Sequence, residues 1–103
     1  VTERIESELA SHPTARNLVL VMSAVSSIDT SALYALSELN QRMARRGLGL
    51  HLAEVKGPVL DRLRQSALLR ELNGQLYLST AMACDALQGP GDATPVATPL
   101  PQA

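Results

Sequence analysis

The hydrophobic positions change period several times along the chain, and each change predicts an element. Val1, Ile5 and Leu9 recur at helical spacing among Glu3, Arg4, Glu6 and Glu8, so a helix is expected up to His12-Pro13. Leu18-Val19-Leu20-Val21-Met22 is an unbroken apolar run, too short for a helix and without the alternation of a half-exposed strand. It predicts a strand buried on both faces, as in parallel sheets. The linker Ser23 to Ile28 leads to Asp29, a good N-cap. Ala32, Leu33, Leu36, Leu39 and Met43 then form an apolar stripe, with Glu38, Gln41, Arg42 and Arg45 mostly opposite. Arg45-Arg46 suit the carbonyl end of that helix, and Gly47 closes it.

The unit then repeats. Leu48, Leu50 and Leu52 alternate with Gly49, His51 and Ala53, which predicts a strand. Gly57-Pro58 opens a helix with Val59, Leu60, Leu63 and Ala67 inward, and Leu68-Leu69 plug its end. Asn73-Gly74 is a turn, Leu76-Tyr77-Leu78 a short last strand, and Ser79 or Thr80 caps a final helix to about Leu87. The order α-β-α-β-α-β-α predicts an α/β fold, a small mixed, mostly parallel sheet with alternating helices. Residues 1–88 form this one domain. Four of the six prolines fall in 89–103, with no hydrophobic period, so that segment is expected to be a disordered Pro-rich tail. A chain that opens inside a helix, without Met, is expected to be part of a longer polypeptide.

Composition narrows the function. Of 103 residues 46% are apolar and 18% charged, which suits a globular domain, and nine basic against ten acidic side chains leave a net charge of −1. Without Trp or Phe, and with two Tyr, the chain offers neither stacking platforms nor a basic footprint for nucleic acid. Cys84 is the only cysteine, which excludes an internal disulfide and argues against a thiolate zinc site; a small buried hydrophobe is the simpler role. No apolar stretch approaches a membrane span, so no direct membrane insertion is expected, and the composition suits a reduced, cytosolic compartment.

In open α/β sheets ligands and partners gather at the carboxyl ends of strands. Here that rule selects Ser23 to Ala32. Thr30 and Ser31 fall in the first turn of a helix, where free N–H groups and the dipole favour an added negative group. A phosphate on Ser31 would change that surface by about −1.5 to −2 charges. The plainer alternative is that Asp29 is an N-cap and Thr30 and Ser31 are ordinary first-turn residues. His12 and His51 accompany no nucleophile elbow, and His51 is expected to be a partly buried neutral imidazole. Gly47-Leu48-Gly49 precedes a strand and lacks a third glycine, so it is no dinucleotide fingerprint. The arginines at 42, 45, 46, 62, 64 and 70 are most simply solvated helix faces. No catalytic residue, metal or cofactor is expected.

The segment from Leu18 to Leu33, ending Ile28-Asp29-Thr30-Ser31-Ala32-Leu33, resembles the signature of STAS domains, shared by sulfate transporters and anti-sigma-factor antagonists. The helix to Gly47, the Leu48–Ala53 strand, Val55-Lys56-Gly57-Pro58-Val59 and Leu63, Ser66, Ala67 and Leu68 continue the likeness through about Leu87. The Lys-Gly-Pro-Val run looks most like the C-terminal cytoplasmic domain of SulP sulfate permeases. The resemblance implies a non-catalytic regulatory and interaction domain of an anion permease, on the cytoplasmic side of an inner membrane. Its contacts would lie on the Ser23–Leu33 face, with Asp29, Thr30 and Ser31 as the phosphorylation and partner site and Ser26, Ser27, Ala32, Lys56, Gly57 and Pro58 as the surrounding surface. The partner would be its own transmembrane domain or a regulatory protein, with weak nucleotide binding a further expectation to test. The alternative is a free-standing antagonist that meets an anti-sigma-factor kinase and is switched at Ser31. Ala32 stands where the family usually has Gly. The family's N-terminal strands are also absent from this sequence, which is expected to leave one sheet edge open.

Overall fold

The computed structural model describes residues 2–88 and 95–100. Five helices and four strands follow in the order α1 (Thr2–Ser11), β1 (Asn17–Val21), α2 (Thr30–Arg45), β2 (Gly49–Ala53), α3 (Gly57–Gln65), α4 (Leu68–Glu71), β3 (Leu76–Tyr77), α5 (Thr80–Leu87) and β4 (Val96–Pro99). The strands lie in the order β3-β2-β1-β4. All three pairings are parallel, with Leu18 opposite Leu50 and Val96, and Leu52 opposite Leu76. The sheet is therefore wholly parallel rather than mixed.

Strand alternation divides the core between the two faces of the sheet. Leu18, Leu20, Leu50, Leu52 and Val96 point to the larger side, where Ile5 and Leu9 of α1, Leu36, Leu39 and Met43 of α2, and Val59 and Leu63 of α3 bury them. On the other face Val19 and Ala53 meet Ala83 of α5, with Tyr77 and Leu87 beside them. The small side chains let this single helix lie close to the sheet. β1 is buried on both faces, as its unbroken apolar run implies; Leu18, Val19 and Leu20 have no exposed surface. The alternation in β2 does not signal a half-exposed strand, because on the second face Ala53 is covered by α5 and His51 is buried beside Gln75 and Tyr77.

Two expectations are corrected here. The tail beyond Gln88 is not wholly disordered: it contains β4, which pairs with β1 and forms one free edge of the sheet. Val96 and Thr98 are buried while Ala97 and Pro99 are exposed, a period-two pattern that the surrounding prolines conceal. Pro99 is tolerated because Leu100 donates its N–H to the Val21 carbonyl, which turns the N of residue 99 away from β1 toward the free edge. The rest of the expected tail, 89–94 and 101–103, lies outside the described residues. Leu68-Leu69 does not plug α3; it opens the separate short helix α4, whose Leu68 is buried against the main core.

Candidate functional site

Chain direction puts the start of α2, α3 and α5 at the carboxyl end of the sheet. After β1 the chain is tied down by buried Val25 and half-buried Ile28, and around them Ser23, Ser26, Ser27, Asp29, Thr30 and Ser31 are exposed. Asp29 is the N-cap: its backbone is extended and its Oδ1 accepts from the Ala32 N–H at 2.8 Å. This satisfies one of the orphan donors of the first turn. Ala32 and Leu33 are half-buried beneath the tip.

Lys56, Gly57 and Pro58 are exposed at the start of α3, where Lys56 makes no side-chain cap and Pro58 takes the favoured first-turn position. The first turn of α2 is linked to the last turn of α3 by Arg62, whose Nη2 donates to Thr30 Oγ1 at 3.2 Å. A guanidinium thus sits on one of the two first-turn hydroxyls. Sequence reasoning left Arg62 on a solvated helix face, since no local spacing links residues 32 positions apart. The same end of the molecule carries large exposed apolar side chains, with Tyr34 71%, Leu78 84% and Met82 52% accessible.

A second polar link, also absent from the sequence reading, closes this end. Glu54 follows β2 with φ 58°, a left-handed conformation uncommon for a residue other than glycine. Its carboxylate accepts from both the backbone N–H and the hydroxyl of Thr80, fastening the start of α5 to the end of β2. Ser79 caps the same helix by accepting from the Met82 N–H at 3.1 Å. The Thr80 hydroxyl, then its backbone N–H, hold the Glu54 carboxyl below its ordinary pKa, outweighing a small desolvation. A carboxylate whose pKa is lowered on folding stabilises the fold above its unfolded value, and that contribution is lost as pH falls through the folded one. Stability is therefore expected to decline below about pH 4.5 in part through Glu54. Urea midpoints measured from pH 6 to 3 should show a shallower decline in Glu54→Gln.

At the opposite end His51 is buried against β3. Gln75 donates its N–H to Nδ1 at 3.0 Å, so the ring proton is on Nε2, which donates to Asn17 Oδ1 at 2.8 Å. Burial pushes its pKa below the ordinary 6.5, as expected for a neutral structural imidazole. His12 is elsewhere, donating from Nδ1 to the Glu8 carbonyl at 2.9 Å. A cleft of about 320 Å³ lies between the end of α1 and the α2–β2 turn, lined by Leu9, His12, Ala15, Arg46 and Leu48 among others. It is at the carbonyl ends of two helices, and its Arg46 is paired with Glu6 at 2.7 Å. Among the described residues no group of three or more His, Cys, Asp or Glu is arranged to hold a metal ion, and no helix is long and apolar enough to cross a membrane.

Comparison with known proteins agrees with this architecture. Residues 1–83 match the profile of the STAS domain. The chain is 33% identical over 72 residues to sulfate transporter 2.1 of Arabidopsis thaliana, a match covering 70% of this chain and 11% of that protein. It is 38% identical over 83 residues to high affinity sulfate transporter 2 of Stylosanthes hamata, covering 79% of this chain and 12% of the relative. Probable sulfate transporter 3.4 of Arabidopsis thaliana is 38% identical over 71 residues, 68% of this chain and 11% of its own length. The chain thus spans about a tenth of the length of the curated relatives it matches. No solved structure matches at comparable significance. With the profile running from α1 into α5 and taking in β1, β2 and β3 of the parallel sheet, the chain belongs to the STAS domain family.

Proposed function

We propose that this domain is a non-catalytic, cytoplasmic regulatory module of a sulfate or related anion permease. It acts through protein contacts on the Ser23–Leu33 face and the adjoining Lys56-Gly57-Pro58 tip. The observation that carries the reading is the exposed first turn of α2, with Asp29 as its cap and Arg62 beside it, in a chain whose relatives are sulfate transporters. A hydroxyl there combines free helix N–H groups, a favourable dipole and a nearby guanidinium, the three features that hold a phosphate. An added phosphate brings negative charge to a helix face that also exposes Tyr34, and so weakens docking of an apolar or acidic partner surface. The partner is the permease's own transmembrane part or a regulatory protein, and nucleotide is at most a weak ligand of the same tip.

Ser31 is the phosphate acceptor in this reading. Arg62 on Thr30 Oγ1 favours a second version in which Thr30 takes that role. The test is uptake of labelled sulfate by cells expressing the complete parent protein. Ser31→Asp or Thr30→Asp should lower uptake severalfold with surface abundance unchanged, and mass spectrometry of the wild type should find phosphate on one of the two. Unchanged uptake in both variants overturns the switch. A parent reading frame without hydrophobic spans overturns the permease assignment and leaves the free-standing antagonist.

A further inference from the structure

The β3–α5 segment is held to the rest of the domain by polar links, among them Thr80 on Glu54, and by little apolar contact. β3 contributes two residues to the sheet, Leu76 opposite Leu52 and Tyr77 opposite Ala53. α5 rests on the small cluster of Val19, Ala53 and Ala83, whereas the other helices share the large core. Stability is not uniform across a fold, and segments with few buried apolar contacts open first. Into this weak seam the chain inserts a titratable group. His51, 6% exposed, takes the Gln75 N–H on Nδ1 just ahead of β3, and its ring lies 5.8 Å from that of Tyr77.

We infer that His51 is a pH-sensitive latch for the β3–α5 segment, closed when its imidazole is neutral and released when the ring takes a second proton. The neutral ring accepts from Gln75 and donates to Asn17. The imidazolium is a donor at both nitrogens, so the Gln75 N–H then faces an N–H, and a buried charge lacks a counter-ion. The groups facing His51 are Asn17 from β1, and Gly74, Gln75 and Tyr77 from the approach to β3 and β3 itself. Of these only Tyr77 carries an ionisable side chain, and none carries a carboxylate or a basic group. Asp85 is the charged residue of α5, and no charge contributes to the lowered His51 pKa, whose cause is burial alone. Opening the seam restores water to the ring, so protonation and opening favour each other.

The test is amide exchange on the whole chain between pH 7.5 and 5, corrected for intrinsic rates, alongside titration of the His51 ring by NMR. Protection at Gln75, Leu52 and Glu54, whose N–H groups bridge the seam, should fall severalfold with the same midpoint as the ring, while Val19 and Leu20 keep theirs. His51→Gln, which has one acceptor and one donor but no charge to gain, should abolish the response. Unchanged protection at Gln75, a midpoint apart from that of His51, or equal loss across β1 overturns the latch. If His51→Gln fails to fold, the wild-type coincidence of midpoints alone decides.

Discussion

Asn73→Ala is expected to lower stability by about 2 kcal/mol, although the residue lies at the surface. Its side-chain amide stands in for a strand residue. Oδ1 accepts from the Leu50 N–H at 2.8 Å and Nδ2 donates to the Leu48 carbonyl at 2.9 Å, so one backbone group of β2 and one just ahead of it are satisfied where β3 has not yet begun. Its own N–H is taken by Asn40 Oδ1 at 3.1 Å, and Asn40 Nδ2 returns to the Glu71 carbonyl at 2.8 Å. Alanine leaves the Leu50 N–H and Leu48 carbonyl without partners beside buried side chains. Each unpaired buried group costs about 1–3 kcal/mol, and water entering from the exposed side holds the sum near the lower end. Asn73→Asp should recover little, because a carboxylate accepts from Leu50 but meets the Leu48 carbonyl oxygen with another acceptor. Thermal unfolding checks this, with a loss of roughly 10 °C expected for the alanine variant of a domain this size.

How much of this was legible depends on whether the signal was local. The run Leu18 to Met22 and the stripe from Leu36 to Met43 are periodic, and both elements form where those patterns place them. The Asp29 cap could be read because a capping residue acts on an N–H only three positions away. Asn73-Gly74 is recognisable as a turn, but nothing in the pair says that the amide serves β2. Arg62 on Thr30 and Glu54 on Thr80 are likewise long-range polar links, 32 and 26 residues apart, which leave no periodic trace. β4 was hidden for another reason. Two inward residues, Val96 and Thr98, are too few to establish a period among prolines, and the strand gains its partner only when β1 is already in place. Thr98 shows how loosely sequence specifies that edge: its hydroxyl is buried with no partner among the described residues.

Gly74→Ala should be the more damaging change, at about 3 kcal/mol and a fall of roughly 15 °C in melting temperature. A Cβ there would lie 2.6 Å from both the Leu50 carbonyl carbon and His51 Nδ1, and closer still to the Leu50 oxygen. The obstacle is mainly backbone of a buried strand, which cannot swing aside as a side chain can, so the turn must lift from β2. That movement also breaks the Gln75 bond to His51 and disturbs both Asn73 bonds. The double variant with Asn73→Ala should therefore cost clearly less than the sum of the two. Other glycines provide the controls. At Gly57 an added methyl meets nothing within 4 Å, and alanine should be close to neutral. At Gly47 space is equally open but φ is +73°, so the cost is conformational alone, about 1 kcal/mol. Gly49→Ala would press on Asn17 Oδ1 and His51 Nε2, side-chain ends that can give, and should fall between. If Gly74→Ala melted with Gly57→Ala, the turn could not be packed onto the β2 backbone, and the seam that His51 closes would have no rigid wall to close against.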